Sequence, residues 1–170
     1  MNDKKIPTIG STMLVSIGGR DNIPAKIDTG ADSSSIWVSH LRVDKDGVLK
    51  FRLFGEDSPF YNGKVIKRKK FKVAVVRSAT GEEQVRYRTY FTLKISGKKI
   101  KVLFNLSDRS NNNFPVLIGR RSISGKFLVD VSKAEVERPP KNPRTEPLMK
   151  ELQENPYEFY KKYSRKGAKQ

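Results

Sequence analysis

From about residue 11 to 136 the chain alternates short apolar runs with turn residues. "TMLVSIGG" closes on two glycines, and "PAKIDTG", "SSIWVSHLRV", "VLKFRLFG", "KVIKRKKFKVAVVRS", "QVRYRTYFTLKISGKKIKVLFNLS", "FPVLIGR" and "KFLVDVS" follow. Val, Ile, Phe, Tyr and Thr dominate these runs, the residue types that fit a pleated, half-buried surface. The pattern predicts a small all-β barrel or sandwich. Strand character on both sides of Ser78-Ala79-Thr80-Gly81 predicts a β-hairpin with its tip there, and "KISGKKIKV" predicts a tighter one turning at Gly97. Helix signals are sparse. "GRRSISG", residues 119–125, reads as one short helix closed by Gly125.

The character changes at "ERPPKNPRTEP", where four prolines in eleven residues deny continued sheet. This divides the chain into a β domain, residues 1–136, and a basic, Pro-rich and short-helical C-terminal extension, residues 137–170. Within the extension, Thr145 is placed to cap a helix starting at Pro147, and Asn155 to cap a second with Pro156 first.

At 170 residues the chain has room for one well-cored domain and an appendage. No apolar run approaches the roughly 20 residues of a membrane-spanning helix. "MNDKKIPTIG" has no signal-peptide apolar region after its lysines, so no membrane partner and a cytosolic location are expected. Cysteine is absent and His40 is the single histidine. That excludes disulfides, thiol nucleophiles and zinc sites of the usual His/Cys type, and leaves His40 without a role. Catalysis then falls to carboxylates, lysines or hydroxyls. The net charge of +17 is spread: residues 137–170 carry nine basic and five acidic residues, leaving 26 against 13 elsewhere. The field of such a body attracts polyanions, whether nucleic acid or acidic protein.

One motif carries chemistry. In "PAKIDTGADSSS" an apolar strand delivers Asp28-Thr29-Gly30, and about ninety residues later "PVLIGR" supplies a second apolar run ending in Gly119-Arg120. The pairing resembles the retroviral-type aspartic peptidases. More closely, residues 9–135 resemble the bacterial and archaeal retropepsin-like family often labelled "ATP-dependent zinc protease" and associated with ATP-grasp glutamate ligases of the RimK/LysX type. The resemblance implies an all-β, closed retropepsin-like (acid protease) barrel with one short helix. The zinc of that label finds no support in one histidine and no cysteine, and neither metal nor other cofactor is expected.

Peptide hydrolysis by carboxylates uses two aspartates in contact that share one proton: the ionised one takes a proton from water while the other polarises the carbonyl. Asp28 is half of such a site, and no other aspartate is followed by a hydroxyl residue and then glycine. The other half then has to come from a second copy across a two-fold axis, an isologous homodimer.

The resemblance also implies roles around Asp28. Thr29 would hydrogen-bond across the dyad, Gly30 would permit close backbone approach, and Asp32 and Arg120 would form a buried ion pair bracing the loop, with Asp32 also able to bind substrate backbone. Ala31 lacks the hydroxyl that would favour the ionised carboxylate, so a dyad working nearer neutral pH than a pepsin-like one is expected. Lys26 lies two residues before Asp28, on the same strand face, and suggests a subsite for an acidic side chain. Arg77, Arg86 and Arg88 flank the hairpin tip, where they would lower over a bound chain as a flap. The function expected is a homodimeric aspartic endopeptidase acting on acidic, glutamate-rich or glutamate-tailed peptides. The alternative is a non-catalytic basic module of the same fold that binds nucleic acid or acidic protein, for which "KVIKRKKFK" is the natural contact.

Overall fold

The computed structural model describes residues 5–77, 81, 83–137 and 145–163. They fall into two compact units, Met1–Glu137 and Arg138–Gln170. The hairpin tip at Ser78, Ala79 and Thr80 and the prolines at 139, 140 and 143 lie outside the described residues.

The first unit is a closed barrel. Its six staves, in order around the ring, are β10 (Val116–Gly119), β3 (Arg20–Asp28), β2 (Thr12–Ile17), β8 (Glu83–Ile95), β9 (Lys98–Ser107) and β4 (Ser34–Val43), and the β10–β4 pairing closes it. Closure removes the free edges that an open sheet exposes. β5 (Leu49–Leu53) and β6 (Val65–Arg68) extend the sheet from β4, and β7 (Lys72–Arg77) pairs with β8. A separate ribbon pairs β1 (Thr8–Gly10) with β11 (Leu128–Asp130) in parallel.

Period-two alternation sets which side chains face inward. Thr89, Phe91, Leu93 and Ile95 of β8 are buried, while Tyr90, Thr92 and Lys94 between them are exposed. Phe51, Phe91 and Phe104 meet in edge-to-face contacts, with ring centroids 6.2 and 6.1 Å apart. Pro24 is tolerated inside β3 because it stands opposite Leu14 of β2, whose amide turns away to Glu135, in a non-hydrogen-bonded pair, and pairing with β10 begins only at Ala25.

Three details differ from the sequence expectation. "KVIKRKKFKVAVVRS" is two strands, broken at Lys69-Lys70, because β6 pairs with β5 and β7 with β8. The short β1 carries no alternation long enough to read. The short helix is as expected, α1 (Arg120–Ile123), with Gly125 at φ +70° beyond it. In the second unit, α2 (Thr145–Glu154) starts two residues before Pro147, which the first helical turn accommodates since its N–H groups have no intrahelical partner. α3 (Pro156–Tyr163) begins where expected, and Asn155 Oδ1 accepts from the Glu158 amide at 3.4 Å. The two helices are tied by Glu151, which accepts from Lys162 Nζ (2.7 Å) and the Tyr163 hydroxyl (2.9 Å).

Candidate active site

Alternation in β3 buries Ile23, Ala25 and Ile27 and turns Lys26 and Asp28 to the opposite face. Asp28 is the last residue of the strand. Its Oδ1 accepts from the backbone amides of Gly30 (3.1 Å) and Ala31 (3.2 Å), so the chain folds back under its own carboxylate and fixes it. Lys26 Nζ stands 3.9 Å from Asp28 Oδ2, the same-face placement that the spacing implied.

The loop joining β3 to β4 is held from beneath by β10, inserted between those strands. Gly119 pairs with Asp28 and Leu117 with Lys26 on one side, while Val116 and Leu117 pair with Ile36 and Ser35 on the other. Gly119 has to be glycine. A Cβ there would lie 2.5 Å from the Ser33 carbonyl oxygen and 2.8 Å from that of Ala31. Its amide donates to Ser34 Oγ at 3.0 Å, and that hydroxyl, 1% exposed, also bonds Ser122 Oγ at 2.7 Å. The Arg120 amide then donates to the Ala31 carbonyl at 2.7 Å. The second motif therefore supports the loop through backbone and hydroxyl contacts.

The Asp32–Arg120 pair forms, at 2.5 Å, and Arg121 joins it at 3.5 Å. In the single chain the Arg120 and Asp32 side chains are 62% and 47% exposed. Thr29 is exposed and makes no side-chain hydrogen bond among the described residues. Glycine at 30 is not required by this chain, because a Cβ there would meet only Asp28 Oδ1, at an ordinary 3.5 Å.

The three arginines of the hairpin do not act as one group. Arg77 lies opposite Glu83 and is paired with it at 2.9 Å, on the other face of the ribbon from Arg86 and Arg88. Arg86 donates to Gln84. Arg88 donates to Asn105 Oδ1 (2.5 Å) and Ser33 Oγ (3.2 Å), tying the hairpin base to the loop after Asp28.

Sequence reasoning missed Arg109. Its Nε donates to the Phe114 carbonyl at 3.0 Å, anchoring the turn before β10. Burial pushes this guanidinium down from its usual value, the charge of Arg86 pushes the same way, and Asp28 opposes both. It stays cationic at neutral pH. Arg109 is thus a half-buried cation within electrostatic reach of Asp28 and of Arg86. No motif marks it; only its place in the loop leading into "FPVLIGR" was available as a signal.

Among the described residues no group of three or more His, Asp or Glu is arranged to hold a metal ion. A cavity of about 480 Å³ beside Trp37, lined also by His40, Asp57 and Asp108, does not include Asp28.

A six-stranded closed barrel with an Asp-Thr-Gly loop braced by a Gly-Arg strand defines the retropepsin-like class. Residues 9–140 match the family model described as retropepsin-like aspartic endopeptidase RimB, and the chain belongs to this RimB-like family. Two curated proteins named "Probable alpha-L-glutamate ligase", from Shewanella pealeana and Shewanella halifaxensis, are each 32% identical over 116 residues. The match covers 66% of this chain and 25% of each relative, so the chain spans about a quarter of their length. Among solved structures, a Legionella pneumophila protein of unknown function (DUF785) shares the fold, with a TM-score of 0.59 at 20% identity over 75% of this chain and 95% of that one. No helix among the described residues is long and apolar enough to cross a membrane.

Proposed function

We propose that the chain is an aspartic endopeptidase of the cytosol that works as an isologous homodimer, each copy supplying one Asp28 to a shared site. The observation that carries this reading is a single Asp28, held by two amides at a strand end, in a chain with no second Asp-hydroxyl-Gly. Two such carboxylates in contact share one proton. The ionised one removes a proton from water, which attacks the peptide carbonyl. The protonated one donates to the carbonyl oxygen, and collapse of the tetrahedral intermediate passes a proton to the departing amine.

The substrate proposed is an acidic peptide, glutamate-rich or glutamate-tailed. Lys26 and Arg109 place positive charge near Asp28, and the body of the protein is basic throughout. Relatives bearing the name of a glutamate ligase contain a segment like this chain, which supports glutamate chains as the material acted on. The test is to incubate wild type and Asp28→Asn with an oligoglutamate-tailed peptide across pH and follow products by mass spectrometry. Loss of about 10³-fold or more in rate is expected. Specific activity should also rise with protein concentration through the dimer dissociation constant. Equal product from both proteins ends the reading.

A second reading rests on exposed Lys67, Lys69 and Lys70 and half-buried Arg68, in β6 and the bend after it. In it the same fold binds nucleic acid without cleaving anything. Binding to DNA or RNA with a steep salt dependence that survives Asp28→Asn would favour it.

A further inference from the structure

A recess of about 210 Å³ opens beside the loop that follows Asp28, and four cations line it: Arg88 from β8, Lys101 from β9, and Arg121 and Lys126 from α1 and the turn after it. Ser33 and Ser122 line the same space. The one carboxylate present, Asp32, is shared by Arg120 at 2.5 Å and Arg121 at 3.5 Å, which leaves the other three cations of the recess. Among the described residues no salt bridge neutralises Arg88, Lys101 or Lys126. Their partners are neutral: Arg88 donates to Asn105 and Ser33, Lys126 Nζ to the Ser122 carbonyl at 3.3 Å, and Lys101 Nζ lies 4.7 Å from the Tyr90 ring centroid. Like charges gathered in one concavity repel each other and hold donors ready for an anion.

We propose that this recess is a second acid-binding site, which takes a carboxylate of the substrate chain two or more residues from the scissile bond. Identifying the occupant as a peptide rests on the peptidase reading. A strand laid over Asp28 continues along the loop that ends at Ser33, and same-face side chains of an extended chain recur about every 6.8 Å. Lys26 meets an acid beside the scissile bond and the recess meets one further along, so the enzyme selects runs of acidic residues over single ones. A second basic recess, of about 320 Å³ around Arg20, Lys64, Lys67 and Arg68, begins at the opposite end of β3 and serves as the control.

The experiment measures binding of fluorescein-labelled hexaglutamate to full-length Asp28→Asn protein by anisotropy. Adding Lys101→Gln and Lys126→Gln, both exposed positions, is expected to weaken binding at least tenfold. Adding Lys64→Gln and Lys67→Gln, which removes the same charge, is expected to change it less than threefold. Equal weakening by both pairs would mean only the general field of the protein is felt, and would overturn the site. Inorganic phosphate that binds the parent and loses affinity in Lys101→Gln/Lys126→Gln, with peptide affinity unchanged, would make the recess a small-anion site and equally overturn it. In the Asp28-containing protein, the preference in kcat/KM for a six-glutamate over a one-glutamate tail should fall at least tenfold with the Lys101/Lys126 pair. Failure of the peptidase reading is seen separately, as no cleavage by wild type, while the binding difference between the two pairs remains.

Discussion

Replacing Gly119 by alanine and Gly30 by alanine adds one methyl group to each of the two segments that form the candidate site, with opposite expected consequences. At 119 the new Cβ is driven to 2.5 Å from one backbone carbonyl oxygen and 2.8 Å from another, neither of which belongs to a side chain that can swing away. Relief requires β10 to withdraw from the loop, stretching the bonds from Gly119 to Ser34 and from Arg120 to Ala31. Overpacking of this kind costs about 1–3 kcal/mol, and a strained buried hydrogen bond adds to it, so about 3 kcal/mol is expected. For a domain of this size that lowers Tm by roughly 10 °C. At 30 the methyl meets only a carboxylate oxygen at 3.5 Å, and the change in single-chain stability is expected within about 0.5 kcal/mol. Peptidase activity, however, should be lost in Gly30→Ala, because the space above that residue is where a second loop and the substrate would come. Urea unfolding of both variants, alongside cleavage of a glutamate-tailed peptide and sedimentation, separates the effects. A Gly30→Ala protein that is as active and as dimeric as wild type would refute the reasoning.

Two further outcomes follow from the same contacts. Ser34→Ala leaves the buried Gly119 amide without an acceptor and is expected to cost about 1–3 kcal/mol in urea unfolding, while Ser122→Ala, which keeps that bond, should cost less than half as much. Asp44 is held below its usual carboxylate range, first by the Lys50 ammonium at 2.7 Å and then by the Val48 amide. Its contribution to stability is therefore complete above the unfolded value near 4 and lost as pH falls through the depressed folded one. Asp44→Asn should lower Tm at pH 7 and flatten its decline below pH 4; an unchanged acid limb would show that other carboxylates control it.

The strands were legible because their signal is local, while the choice of a closed barrel over a sandwich came from the family resemblance. β5, and β8 from Thr89 on, alternate strictly, and the turns at Gly97 and Gly125 need the positive φ that glycine supplies. Asp28 and its support were legible because a short motif and a second apolar run with Gly-Arg are rigid enough to name in advance. What escaped depends on tertiary contacts that spacing does not encode. The break at Lys69-Lys70 is set by two different pairing partners, and the face occupied by Arg77 by register against Glu83. Arg109 comes within electrostatic reach of Asp28 only because the turn before β10 brings it there. An arginine among "SDRSNNN" carries no mark of that.

The site's unmet requirements gather on one loop. Thr29 is exposed with no side-chain partner among the described residues, a methyl group at Gly30 would meet only Asp28 Oδ1, and the Asp32–Arg120 pair lies open to water in the single chain, where such a pair is worth at most about 1 kcal/mol. Their neighbours below are the reverse: Ser34, Ile118 and Ile36 are fully buried, and Gly119 has no room for a methyl group. A loop with an over-determined lower side and few contacts on its upper side fits the homodimer proposed above. Among candidate occupants, a second copy alone would provide a matching threonine for Thr29, a backbone close to Gly30 and the missing carboxylate for Asp28 together. A peptide or a nucleic acid would account for the charge around the loop, and would leave the glycine and the threonine unexplained.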